Sequence, residues 1–148
     1  CFALGKKKAL EVSIYDIDSF RSLALMKRFN YIFPNVKFKA VGSIEELQLK
    51  DKDLLINTSP CGMNPKDPLL VNGKMLHQNL FIYDLIYNPQ ETKLLKLAKE
   101  EGLRYSNGLG MLLYQGAESL SLWIRPRKAP VEVMRKALKS SAVWAAKK

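Results

Sequence analysis

Four short stretches of this chain carry polar or glycine residues where an apolar run stops: Asp16, Asn57 to Ser59, Asp84 to Tyr87, and Asn107 to Gly110. An acid at the end of a β-rich run can accept hydrogen bonds from both hydroxyls of an adenosine ribose. The small hydroxyls and the glycine of INTSPCGM (56–63) let backbone lie close to a planar ring. Tyr87 follows the apolar DLI run, and Gln115 interrupts the apolar GLGMLLYQ run; a phenol and an amide suit a hydroxylated or carboxylated ligand. Each residue also has a plainer role. Asp16 can shape a turn before a helix capped by Asp18 or Ser19. INTSPCGM can be a polar loop with a tight turn, Tyr87 can pack as an ordinary aromatic, and Gln115, inside an apolar helix, is a buried amide that needs partners. The lone histidine, His77, lies in a polar stretch away from these ends and is expected at the surface. Met26, Met75 and Met134 are expected as core filler.

The elements that position these residues follow from periodicity. Cys1 to Leu4 reads as the end of a helix stopped by Gly5. Glu11 to Asp16 is β-rich with alternating Val12 and Ile14, and Ser19 to Phe29 offers a helical apolar face of Phe20, Leu23, Leu25 and Met26. Val36 to Val41 alternates like a half-buried edge strand. Ser43 and Glu46 have capping-box spacing for a short helix. Asp53 to Ile56 and Leu80 to Asp84 are compact apolar runs of the kind that form buried parallel strands. Between them lie a proline-punctuated loop, Asn57 to Pro68, and a short helix over Val71 to Leu76. Thr92 to Glu101 is a helix with Gly102 as its C′ residue, Leu103 to Ser106 a brief strand, and Leu109 to Trp123 a long apolar helix. Pro130 suits the first turn of a last helix running to about Ala145. This alternation predicts an α/β domain with a mostly parallel sheet.

A chain of 148 residues can bury a real core, and no apolar run reaches the roughly 20 residues of a spanning helix. No membrane partner is expected, and no metal: Cys1 and Cys61 have no metal or redox spacing. No signal peptide is visible, and a cytoplasmic location follows. The net charge of +10 raises the question of nucleic acid. The lysines, however, sit on helix faces (Lys93, Lys96, Lys99) and in the tail (Lys139, Lys147, Lys148), without a stacking motif. A basic surface can equally attract an anionic substrate or dinucleotide.

INTSPCGM, DLIYNP followed by ETKLLKLAKEEG, and NGLGMLLYQGAE followed by LW resemble the C-terminal half of the shikimate 5-dehydrogenase and quinate/shikimate dehydrogenase family, over nearly the whole chain from Phe2 to about Leu138. The resemblance implies a Rossmann-like fold, mostly parallel with helices on both faces, and NAD(P)-dependent interconversion of 3-dehydroshikimate and shikimate in aromatic amino acid biosynthesis, with a quinate/shikimate dehydrogenase of NAD preference as the alternative. It divides the chain into a partial NAD(P)-binding domain (1–126) and a C-terminal helix and tail (127–148). Tyr87 and Gln115 match substrate-contacting positions. Leu85 and Gly108 match positions where backbone meets the nicotinamide half of the cofactor, and Thr58 lies in the loop beside it. Asp16, Ile17, Asp18 and Arg21 fall on the loop that holds the adenosine ribose. There the chain departs from the Asn-Arg-Thr of NADP-using members: Asp16-Ile17-Asp18 would repel a 2′-phosphate by a few kcal/mol at ~4 Å and an effective dielectric of about 20. NAD is therefore expected over NADP, with Arg21 as a group that can swing toward a 2′-phosphate.

No first strand and glycine-rich turn for the pyrophosphate is found. CFALGKKKALEV resembles the helix that follows that turn. The resemblance places the glycine loop, and a substrate domain with the proton-handling lysine and aspartate, ahead of Cys1, so no catalytic residue is assigned in this chain. In the strand order 3-2-1-4-5-6, loss of the first strand would leave two half-sheets with open edges, making the chain alone poorly stable and inactive. Two other readings are an aminoshikimate-type dehydrogenase and a non-catalytic module that kept the fold.

Overall fold

The computed structural model describes residues 1–145, with side chains as far as residue 140; Lys147 and Lys148 lie outside the described residues. The chain forms two compact units, Cys1–Asp51 and Lys52–Lys148.

The first unit contains α1 (Phe2–Lys6), β1 (Glu11–Ile14), α2 (Ser19–Ile32) and β2 (Lys37–Ala40). β1 and β2 pair in parallel, from Glu11 opposite Lys37 to Ile14 opposite Ala40. The core is Phe29, Val36 and Phe38, with Val12, Ile14, Met26 and Phe33 packed against it. Leu10 and Ile14 carbonyls accept from Lys37 and Val41 N–H groups, so the Phe38 peptide groups point to the other edge of β2. Asn30 of α2 takes both of them, donating to the Phe38 carbonyl and accepting from its N–H at 3.0 Å each. That edge of β2 is therefore sealed by a side chain.

Gly5 does not stop α1. It lies buried inside the helix, and a Cβ there would run into the Phe33 ring, so its role is close packing. The helix ends at Lys7, and Lys8 turns the chain with φ of 57°. The Ser43–Glu46 cap does form: Ser43 Oγ accepts from the Glu46 N–H, and Glu46 Oε2 accepts from the Gly42 N–H. It initiates only a 3₁₀ turn, Glu45–Leu47, because Gln48 turns left-handed at φ 53°.

The second unit contains β3 (Leu54–Asn57), β4 (Phe81–Asp84), α3 (Lys93–Glu100), β5 (Arg104–Ser106), α4 (Leu109–Trp123) and α5 (Val131–Ala145). Its sheet runs β3-β4-β5, all parallel. Central β4 brings Ile82 to zero exposure, with Leu80 just before it equally buried, whereas Leu54 on β3 is 37% exposed. α3 is capped by Thr92, whose side chain accepts from the Leu95 N–H, and Gly102 ends it at φ 70°. Leu94, Leu95 and Ala98 are its buried face, and it packs against β4 and β5. The helix expected at 71–76 is a single 3₁₀ turn, Gly73–Met75; Asn72 and Gly73 are poor helix formers and Leu76 is already extended.

Parallel strands thus form two sheets, of two and three strands, and among the described residues no strand covers the second edge of β1 or of β3. This is the pattern expected of a 3-2-1-4-5-6 sheet without its first strand.

Candidate functional site

The C-terminal ends of β3 and β4 meet in a buried polar network. Asp84, with zero exposure, ends β4. Its Oδ1 accepts from Asn57 Nδ2 at the end of β3 and from the Ile86 N–H, both at 3.1 Å. Its Oδ2 accepts from the Thr92 hydroxyl at 2.6 Å, and that hydroxyl in turn caps α3. One carboxylate therefore ties two strand ends, the segment after β4 and a helix N-terminus. A buried carboxyl group held by three donors is costly to disturb.

Asn57 extends the network into the loop after β3. Its Oδ1 accepts from the Ser59 N–H and hydroxyl, and its amide also donates to the Cys61 carbonyl. Gly62 follows at φ 114°, a conformation that suits glycine, with Ile86 and Thr92 side chains directly over it. Asp67 closes the loop by accepting from the Gly62 and Asn64 N–H groups at 2.8 and 3.0 Å. Those two bonds, the one from Asn64 foremost, hold its carboxyl below the usual carboxylate range. Lys93 at the start of α3 donates to the Asp67 carbonyl. Burial, and then the nearby Asp67 charge, push the Cys61 thiol above its ordinary value.

The backbone of Leu85 is fixed from three sides. Its N–H donates to the Asn57 carbonyl, the next N–H is held by Asp84, and the Ile86 carbonyl accepts from the Gly108 N–H. Gly108 is buried, and a Cβ on it would collide with the Leu85 carbonyl. Leu85 and Gly108, far apart in sequence, are thus brought together as a backbone-to-backbone contact that only glycine permits. Asn107 supports the junction, donating to the Gln90 carbonyl and accepting from the Leu109 N–H.

Thr58 is exposed beside this network. Tyr87 is 44% exposed, so it does not serve as a core aromatic. Gln115 is not the buried amide expected from its apolar helix. The inward face of α4 is set by Leu113 and Ala117, and a residue midway between them points away, leaving Gln115 exposed. His77 also departs from expectation: it is half-buried, with Nε2 at 2.9 Å from the Lys52 carbonyl, because the turn before β4 folds back beside the start of β3. Asn57, Asp84 and Thr92 carry the network; the first two lie in the polar strand ends picked out from sequence but have no role of their own there, and Thr92 reads only as the start of a helix. Their signal was an Asp at a strand end eight residues before a Thr at a helix start.

In the first unit, β1 ends at Ile14, and Asp16 lies just beyond it in a turn, its Oδ1 accepting from the Asp18 N–H at 2.9 Å. Asp18 is the N-cap of α2: Oδ1 accepts from the Phe20 N–H at 3.0 Å, and Oδ2 pairs with Arg21 Nε at 3.2 Å. Ile17 between them is 94% exposed. The turn-forming and capping roles are therefore realised, and they leave the loop tip facing outward. Among the described residues no group of three metal-ligating side chains could hold an ion, and no helix is long and apolar enough to cross a membrane.

Residues 108–139 match the family model of the shikimate 5'-dehydrogenase C-terminal domain. The chain is 40% identical over 144 residues to the shikimate dehydrogenase (NADP(+)) of Methanobrevibacter smithii, an alignment covering 95% of this chain and 50% of that protein. Among solved structures it is similar to the quinate dehydrogenase of Corynebacterium glutamicum in complex with NAD, with a TM-score of 0.83 at 25% identity over 94% of this chain and 49% of the other. It is also similar to the shikimate 5-dehydrogenase of Listeria monocytogenes in complex with shikimate and NAD, with a TM-score of 0.78 at 28% identity over 92% and 51%. The chain spans about half the length of the curated relatives it matches.

Proposed function

The chain belongs to the shikimate dehydrogenase family, and from that premise we propose that it is the nicotinamide-dinucleotide-binding part of an oxidoreductase interconverting 3-dehydroshikimate and shikimate. The observation that carries the reading is the Leu85–Gly108 contact above the Asp84 network, which presents rigid backbone at the carboxyl ends of parallel strands, where nucleotide-binding sheets hold ligands. The family resemblance assigns Leu85, Gly108 and Thr58 of the second unit to the nicotinamide end of a dinucleotide, and Asp16, Ile17, Asp18 and Arg21 of the first unit to an adenosine ribose. The described residues include no glycine-rich turn for the pyrophosphate. When bound, the cofactor supplies hydride transfer. The chain's own task is to orient it and, through exposed Tyr87 and Gln115, to contact the substrate; no proton-handling group is assigned among the described residues.

NAD is the proposed cofactor. Relatives such as that of M. smithii are named for NADP(+), while the two solved neighbours above carry NAD. The carboxylates of Asp16 and Asp18 favour NAD, because they repel a 2′-phosphate and accept from free hydroxyls. Quinate oxidation is the second reading, supported by the likeness to the C. glutamicum enzyme.

Titrating the 148-residue chain with NAD, NADP and shikimate, followed by residue-resolved NMR, tests these assignments. NAD should shift signals at Asp16–Arg21 and at Leu85 and Gly108, with weaker binding of NADP. Shikimate should shift Tyr87 and Gln115. Nucleotide titrations that move neither set would overturn the reading, and a clear NADP preference would overturn the cofactor choice.

A further inference from the structure

Arg21 lies in the first turn of α2, beside the Asp16–Asp18 loop, and the structure gives it a partner. Its Nε lies 3.2 Å from Asp18 Oδ2, three residues earlier on the same helix. The other oxygen of that carboxylate caps α2 through the Phe20 N–H, and the Asp18 backbone N–H is itself held by Asp16. Asp18 is thus anchored at both its main chain and its side chain, while the Arg21 side chain is 74% exposed and otherwise able to move.

We propose that Asp18 is a specificity-determining residue that acts through Arg21: by holding the guanidinium along the first turn of α2, it withholds it from a 2′-phosphate. This rests on reading the loop as the adenosine-ribose site. The carboxylate acts twice against a 2′-phosphate, by direct repulsion and by occupying the guanidinium that would bind it. The two effects are separable, because only the second requires Arg21.

Asp18→Asn is the informative change. Asparagine is as good an N-cap as aspartate, so the Phe20 bond and the helix are retained while the charge and the grip on Arg21 are lost. The affinity ratio of adenosine 2′,5′-bisphosphate to adenosine 5′-monophosphate is measured by NMR titration for the 148-residue chain, D18N, R21A and D18N/R21A, with circular dichroism confirming that each is folded to the same extent. D18N should raise the ratio about three- to tenfold, the range expected for releasing an exposed pair and removing one nearby charge. The double variant should lose most of that gain. An equal gain with and without Arg21 would show that Asp18 acts by repulsion alone and would overturn the proposal, as would an unchanged ratio. Failure of either nucleotide to bind any of the four proteins would instead overturn the ribose-site reading, and this inference with it.

Discussion

Asp84 is the residue on which the candidate site turns. Replacing it by alanine strands three buried donors: the Asn57 amide, the Ile86 N–H and the Thr92 hydroxyl. At ~1–3 kcal/mol for an unsatisfied buried group, D84A should lose roughly 3–5 kcal/mol, a large part of the stability of an ordinary domain. Asparagine keeps the two bonds to Oδ1 and can donate to the Thr92 oxygen, so D84N should lose only about 1 kcal/mol. Urea unfolding of both variants checks the ordering; a D84N as unstable as D84A would mean that charge, not hydrogen bonding, holds the strand ends. Gly108 acts by shape. In G108A the new methyl group meets the Leu85 carbonyl and the backbone must give way, at a cost of about 1–3 kcal/mol. The displacement should appear as NMR shifts at Leu85 and Ile86 together with weaker NAD binding. Unchanged shifts there would show that the contact does not set the backbone.

At the scale of elements, the loop from Asn57 to Pro68 is built on side chains that hold backbone, and this makes it sensitive to acid. The Asp67 carboxyl is held below its ordinary value by the Asn64 and Gly62 N–H groups. Since its folded value lies below the unfolded one of ~3.9, the stabilisation is fully present above that pH. It is lost as pH falls through the folded value. Amide exchange at Gly62 and Asn64, corrected for its intrinsic pH dependence, should lose protection below about pH 4, and D67N should remove that dependence. Persistent protection in acid would mean that the loop is held elsewhere.

The elements themselves were largely legible in the sequence. Apolar runs at 54–57 and 81–84, the Thr92 cap and Gly102 all leave local marks, and β3, β4 and α3 form where those marks lie. What sequence could not carry was set by tertiary contact. Gly5 looks like a helix stop, yet the Phe33 ring makes it a packing glycine. Gln115 lies in an apolar segment, yet the face that α4 buries is decided by what lies beneath Leu113 and Ala117. The Asp84 network joins residues 57, 84 and 92, and no periodicity links them.

For the molecule as a whole, the decisive feature is the set of edges that no described strand covers, those of β1 and β3 beside the outer edge of β5. The outer edge of β2 is sealed at Phe38 by Asn30, but among the described residues no strand lies on the second edge of β1 or of β3. Parallel strands are normally buried on both sides, and an uncovered edge is a template for another strand. The 148-residue chain, studied alone, should therefore associate with itself as its concentration rises, despite its net charge of +10. Leu54 sits on this edge strand and is 37% exposed. A lysine there puts charge where an incoming strand would dock, as natural edge strands do. Sedimentation velocity across a concentration series should show L54K associating less than the parent chain, the uncovered edge of β1 accounting for what association remains. Equal association of both would place the sticky surface elsewhere. The same edges bear on activity. Among the described residues no turn for a pyrophosphate adjoins either edge, and no proton-handling group is assigned. NADH formation from shikimate and NAD should then be absent for this polypeptide by itself; turnover at an ordinary dehydrogenase rate would mean that the uncovered edges are not where the missing function lies.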